Sequence, residues 1–401
     1  MKRALVLSIA LSATLFSAGY KIPESSLNAT ALSAAYVANA HGADAAYYNP
    51  AAMVYNDDAE LLEVDATYIG LSKIHYASTS GAYNIDSKSE SFLVPTLHYT
   101  SGKLGDNSVR VGLSIVVPAG LSKRWTSAQA VYSAEEFTLQ TIEFNPSIAV
   151  PLSDTLSMGV GFRIVRTDGV VKSISPTPTS RDLTGDSIDY GYNLALNYRP
   201  ISNLSLAVTY RSKIDLNVEG SADLRVGATT YSGPASVTVP LPAALNLAAA
   251  YTFDTGTTVE AVFERTYWSS YKNLDFNYDS TVNAATVAFG APLPKNWTNT
   301  NTYRLGLTQK IGKLSAMAGI AYDKSPVFES TLGYELPDSD AVIVSLGGRY
   351  QIDPHWNIGL AGLVDIKKDR IVHQSGGSNP ISGEFSNSNA YLVTAGIEYR
   401  F

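Results

Sequence analysis

Tyr391-Leu392-Val393-Thr394-Ala395-Gly396-Ile397-Glu398-Tyr399-Arg400-Phe401 closes the chain, and its alternation decides the fold. Tyr391, Val393, Ala395, Ile397, Tyr399 and Phe401 fall on one side, against Thr394, Gly396, Glu398 and Arg400 on the other. A period of two is the signature of a β-strand, with one set of side chains per face. The apolar face is large and aromatic, and no second sheet is obviously available to cover it. Such a strand suits a wall between lipid and a polar lumen.

Working outward, the same pattern recurs. Leu204, Leu206, Val208 and Tyr210 alternate with Ser205, Ala207, Thr209 and Arg211. Val342, Val344, Leu346 and Tyr350 oppose Ser345, Gly347 and Arg349, and Trp356, Ile358, Leu360, Val364 and Ile366 oppose Asn357, Gly359, Ala361 and Asp365. Short polar turns, such as 153–155, 254–256 and 312–313, alternate with longer connections near 77–88, 122–135, 174–186, 221–235, 277–298, 327–339 and 373–386. Tight turns on one side and long loops on the other are expected of an outer-membrane barrel. Counting runs gives about fourteen antiparallel strands from 60–76 to 387–401, among them 108–121, 156–172, 187–199, 204–219 and 236–253. A sheet in lipid must close on itself, because a free edge finds no hydrogen-bond partner there. The soluble alternative, a β-solenoid or sandwich, would need polar outer faces.

Composition agrees with a barrel. Charged residues make up 16%, below the quarter typical of soluble domains, while there are 25 tyrosines and 30 glycines. Lys2-Arg3, the apolar stretch Ala4 to Phe16 and the small residues Ser17, Ala18 and Gly19 read as a secretory signal peptide, assigned to 1–17. Without it the balance is 27 basic against 36 acidic residues, which argues against a nucleic-acid partner. No other run of about 18 apolar residues exists, so a helical membrane protein is excluded. Absence of cysteine excludes disulfides, thiolate metal sites and thiol nucleophiles.

Residues 18–58 differ from the rest: Ala-rich, with Ser25–Asn39 and Ala43–Tyr55 predicted as short helices broken at His41-Gly42 and Asn49-Pro50. They form an N-terminal hatch, ahead of a barrel over 59–401. Catalytic chemistry is not apparent. The five histidines show no ligand spacing, so no metal or cofactor is expected. No Gly-x-Ser-x-Gly elbow or phosphate-binding loop appears. His98 is the single candidate for a barrel-lipase arrangement, with a lumen or aromatic-belt histidine the alternative. The protein reads as a non-enzyme.

Ala18-Gly19-Tyr20 and the stretch Ala43 to Met53, containing Asn49-Pro50-Ala51, resemble the FadL family of long-chain fatty acid and aromatic hydrocarbon transporters. Thr209-Tyr210-Arg211-Ser212, Leu241-Pro242, Thr266-Tyr267-Trp268-Ser269, Gly319 to Val327 and Leu336-Pro337-Asp338 extend the likeness along the chain. The resemblance implies a hatch motif at Asn49, Pro50 and Ala51 inside a fourteen-stranded barrel in the bacterial outer membrane. It also implies capture of a hydrophobic molecule by extracellular loops, binding in the lumen, and sideways exit through a kinked third strand. Pro118, Ala119 and Gly120 are where that gap would fall, since proline cannot donate to the ladder and glycine permits a bulge; a proline at a strand end beside a loop is the alternative. The family holds a fatty carboxylate with basic side chains. Alignment puts Lys295 at one such position and Ser173, next to Lys172, at the other, which leaves room for a neutral ligand. Lys295 could equally be a solvated loop lysine. Tyr20 would set an aromatic ring near the ligand, or pack the hatch. The expected partners are a hydrophobic ligand such as a fatty acid, hydrocarbon or detergent-like molecule, outer-membrane lipid and lipopolysaccharide, and the barrel-assembly machinery, for a monomer. A general porin or an adhesin-like barrel is the competing function.

Overall fold

The computed structural model describes residues 19–106, 108–127, 129–279, 282–375 and 380–401; the expected signal peptide lies outside them. Among the described residues, fourteen antiparallel strands close into a barrel. They are β1 (Leu61–Leu71), β2 (Glu90–Thr100), β3 (Arg110–Val116, continuing as Gly120–Arg124), β4 (Glu136–Pro151), β5 (Leu156–Ser175), β6 (Thr179–Ile201) and β7 (Leu204–Arg211 and Ile214–Val226). The circuit continues with β8 (Thr229–Leu241 and Ala244–Thr252), β9 (Thr257–Thr266), β10 (Thr300–Ile311), β11 (Leu314–Asp323), β12 (Ala341–Gln351), β13 (Trp356–Lys367) and β14 (Ala390–Arg400). β14 pairs with β1 from Ala390↔Leu71 to Arg400↔Leu61, and Phe401 N–H donates to Glu60 O at 3.0 Å, so the seam is closed. The alternation of the last strand is realised in space: Tyr391, Val393 and Ile397 are 46%, 48% and 42% exposed, whereas Leu392 and Thr394 are buried toward the lumen.

Two of the expected long connections, 174–186 and 221–235, are strand instead. β5 and β6 meet through a turn at 176–178, and β7 and β8 through Gly227-Ala228, with Gly227 at φ +62°. Their pairing runs without interruption from Lys172↔Asp182 to Ser175↔Thr179 and from Glu219↔Ser236 to Val226↔Thr229. These polar stretches read as loops because a hairpin rising past the bilayer meets water and loses its apolar face while keeping its ladder.

The N-terminal segment fills the lumen. Its helices are shorter than expected: α1 is Leu27–Ala31, α2 is Ala45–Tyr48, and Pro50–Tyr55 is a 3-10 helix. Ser33 and Ala34 turn left-handed (φ 49° and 58°) and end the first helical run. The unpaired backbone groups this creates are taken by lumen-facing side chains, as burial requires. Glu260 accepts from Val37 and Ala38 N–H (2.7 and 2.6 Å), Arg304 donates to Ser33 O (2.9 Å), and Ser345 donates to Ala31 O (2.8 Å). Ser205 reaches Ala38 O (2.7 Å) and Ser157 reaches Ala51 O (2.8 Å). The wall is thinned with glycine where the hatch backbone touches it. A Cβ on Gly159 would stand 2.4 Å from Ala51 N, and one on Gly319 2.1 Å from Leu32 C.

Candidate functional site: a lumen cavity beside an interrupted wall

β2 and β3 pair over four residues, Leu97↔Ile115 to Thr100↔Gly112. Beyond Leu97, among the described residues, the two strands meet again at the Ser87↔Trp125 bridge and through Lys88 N–H to Arg124 O (2.8 Å), beside the Arg124–Glu90 ion pair (3.0 Å). Between these points residues 89–96 face 116–123 without a ladder, roughly 25 Å of strand at about 3.3 Å per residue. β4 follows β3 throughout, but Val116 lies opposite Glu143 and Gly120 opposite Gln140, so β3 carries one extra residue there, a bulge. Pro118 and Ala119 sit in it, and Gly120 resumes the ladder. Thr141 Oγ1 accepts from Ala119 N–H (3.2 Å) and donates to Ala119 O (2.5 Å), replacing the ladder the bulge breaks.

The inner edge of the bulge is not bare. Ile22 N–H donates to Pro118 O and Gly120 N–H to Tyr20 O, each at 2.9 Å, so residues 20–22 run as a short surrogate strand against it. That segment separates two spaces. Tyr20 lines a cavity of about 850 Å³, with Leu121, Phe137, Val171, Phe276 and Leu336 among its mostly apolar walls. Lys21, Ile22 and Pro23 line a more polar chamber of about 680 Å³, with Pro118, Arg163 and Arg211. The polar side is internally neutralised: Glu143 pairs with Arg163 (2.9 Å) and with Arg211, and Lys21 with Glu264 (2.7 Å).

Tyr20 is held on all sides. Its hydroxyl donates to Pro240 O, and its ring meets those of Trp268, Trp297 and Tyr271 at centroid distances of 4.9, 5.7 and 6.1 Å. Burial pushes the Tyr20 and Tyr271 phenols well above their usual range, so both are neutral donors. Gly19, at φ +77°, has room for no Cβ, which would stand 2.6 Å from the Trp268 ring.

The sequence-derived site residues divide. Tyr20 and Lys295 line the same cavity, but the Lys295 ammonium is ion-paired with Glu335, also in the wall. Burial alone would raise the Glu335 carboxyl; the Lys295 charge and hydrogen bond more than offset it and hold it below the usual value. Lys172 is elsewhere, on the outer part of β5, pairing with Asp182 at 3.0 Å. Ser173 beside it does face inward, and directly opposite on β6 stands Arg181, 8% exposed. The Arg181 guanidinium lies over the Phe276 ring (5.3 Å) and donates to Ser133 O (3.0 Å). Sequence reasoning passed over Arg181 because it fell in a stretch read as loop. Trp297 and Tyr271 carried no local signal at all. Asn49 donates to Val37 O and to Asn197 Oδ1, both at 2.8 Å, while Pro50 opens the 3-10 helix and Ala51 rests on Gly159.

His98 does find a serine on the neighbouring strand, its Nδ1 lying 2.9 Å from Ser114 Oγ, but Nε2 is 2.9 Å from Ser25 O. Both side chains are fully buried beneath the hatch. The pair ties hatch to wall.

A lumen hatch docked on a bulged third strand beside an apolar cavity is what the comparisons with known proteins now meet. A family model described as outer membrane protein transport protein (OMPP1/FadL/TodX) matches residues 8–401. The chain belongs to that family. It is a family of outer-membrane transport proteins rather than enzymes. The long-chain fatty acid transport protein of Escherichia coli O6:H1 is 24% identical, over 100% of this chain and 98% of its own length. Among solved structures, a FadL homologue of Pseudomonas aeruginosa superposes with a TM-score of 0.84 at 20% identity, covering 95% of this chain and 99% of that one. The P. putida toluene transporter TodX does so at 0.71 and 18%, covering 92% and 98%. This FadL-family member thus resembles in sequence a transporter named for long-chain fatty acids and in fold one named for toluene.

Proposed function

We propose that this barrel takes up hydrophobic small molecules, long-chain fatty acids or related hydrocarbons, holds them in the Tyr20 cavity and releases them sideways between β2 and β3 into the outer membrane. The observation that carries the reading is that the cavity and the unpaired stretch share residues: Leu121 lines the cavity and belongs to the unpaired part of β3, while Tyr20 lines the cavity and hydrogen-bonds the bulge. The space has the mostly apolar lining of small-molecule sites. Exit into lipid spares the solute a passage through water, which costs about 0.8 kcal/mol for each exposed CH₂. The names of the relatives, one a fatty acid transporter and one a toluene transporter, support the same substrate range. A general porin is disfavoured because the hatch is bonded to the wall around the lumen.

Trp297 lines the cavity and Trp268 backs it, so binding is readable from tryptophan emission of the purified barrel. Titration with oleate and with toluene is expected to give saturable quenching by at least one of them, and low conductance in a planar bilayer. No saturable change with either, together with an open ionic conductance, would overturn this function in favour of a porin.

A further inference from the structure

The opening between β2 and β3 has two rims, and the proline in the bulge explains only one. The other belongs to β2, whose sequence from Glu90 reads Glu-Ser-Phe-Leu-Val-Pro-Thr-Leu-His. Ser101 N–H donates to Val111 O, so the odd-numbered residues of β2 direct their backbone groups at β3 and the even-numbered ones at β1. The far side of β1 gives the same alternation: Phe401 N–H donates to Glu60 O, which sends even residues of β1 toward β14 and odd ones toward β2, where Leu61 meets Thr100. The ladder therefore steps through Ser101 with Val111, Tyr99 with Leu113 and Leu97 with Ile115. Its next rung would join residue 95 to Val117. Residue 95 is Pro95, which has no N–H to give.

We propose that Pro95 is the positioning residue that ends β2–β3 pairing and so sets the lower rim of the lateral opening. In lipid an unpaired N–H at a strand edge seeks a partner. Pro95 removes that demand at the first position beyond the last rung, where it would draw β3 back into register. Its side chain is exposed on the outer face, it keeps its register opposite Ala66 on β1, and proline is tolerated there because its nitrogen faces the unpaired edge. Pro118 bends β3 away; Pro95 keeps β2 from following. This inference rests on the lateral-release reading and adds the residue that holds the opening in place.

The test uses the full-length protein, which has no cysteine of its own. Thr96→Cys and Val116→Cys place two thiols on the lumen face at the pair just beyond the last rung, next in line after His98 and Ser114. With Pro95 present that pair is flanked by a rung on one side; with Pro95→Val it is flanked on both, and opposed strand residues of this kind lie within disulfide reach. Disulfide formation in isolated outer membranes should speed up several-fold. Uptake of radiolabelled oleate or toluene by cells carrying Pro95→Val alone should fall roughly fivefold, the factor equivalent to one net backbone hydrogen bond of about 1 kcal/mol. Pro95→Ala, which restores the same N–H with a minimal side chain, serves if the valine variant does not give a folded, heat-modifiable barrel. An unchanged cross-linking rate in the folded variants would overturn the role of Pro95 and leave lateral release standing. Faster cross-linking with undiminished uptake would overturn lateral release, because the opening would have narrowed without affecting passage, and would leave Pro95 only as the residue that ends the pairing.

Discussion

Thr141→Val is a nearly isosteric change that isolates what the bulge in β3 costs. The Thr141 hydroxyl is buried, accepts from Ala119 N–H and donates to Ala119 O, and so stands in for both halves of a missing rung. Valine leaves the packing volume almost unchanged and strands two backbone groups. At about 1–3 kcal/mol for each buried group left without a partner, the folded barrel should lose roughly 2–6 kcal/mol. Thr141→Ser should keep most of that stability, since the hydroxyl survives. The assay is urea unfolding of the purified barrel in detergent, followed by its gel mobility without boiling. A Thr141→Val barrel within about 0.5 kcal/mol of wild type, the range of an indifferent substitution, would refute the idea that a side chain sustains the bulge.

Glu335→Gln frees the Lys295 ammonium from its ion pair, and equilibrium binding of a carboxylate probe such as laurate should tighten roughly tenfold while that of methyl laurate is unchanged; equal effects on both would show that Lys295 does not face the head group. Gly319→Val puts side-chain carbon where the Leu32 backbone lies, so the hatch should be pushed from its seat and single-channel conductance in a planar bilayer should rise well above that of wild type. Burial raises the Glu24 carboxyl to about 7, against the opposing pull of Arg304, and that of Asp44 to about 6. Because these values lie above those of the unfolded chain, the neutral carboxyls stabilise the docked hatch fully at low pH, and that stability is lost as pH rises through about 6 to 7. Protease access to the hatch should therefore grow between pH 5 and 8, and Glu24→Gln should flatten the profile.

How far the sequence reached depends on whether a feature is written locally. The strand circuit was legible because each strand carries its own period of two, and Tyr391 to Phe401 needed no knowledge of its neighbours to be read. The upper parts of β5 to β8 were not, since Thr179 to Asp186 and Ser221 to Ala235 meet water and lose the contrast between faces while still pairing. The hatch was legible as a change of composition, but not the length of its helices, which Leu32 to Ala34 surrender to fit against the Gly319 wall. In the cavity, Tyr20 and Lys295 were reached through resemblance. Glu335, Arg181 and Trp297 were not, because each matters only through a partner far away in sequence. Pro118 stood out beside Gly120 within a strand. Pro95 did not, because its meaning depends on which neighbour its nitrogen faces, and that is fixed only by the register of β1, β2 and β3 together.

The route itself is tested most directly by catching a ligand on the way out. A diazirine-bearing long-chain fatty acid, photolysed during uptake by whole cells, should label the rims of the opening, Ser91 to Pro95 on β2 and Pro118 to Leu121 on β3, as well as the cavity around Tyr20 and Trp297. The chamber of about 710 Å³ beneath the hatch, lined by His41, Lys310, Lys313 and Arg349, should remain unlabelled. Label concentrated in that chamber, with none on the rims, would contradict lateral release and mean that the molecule passes the hatch into the periplasm.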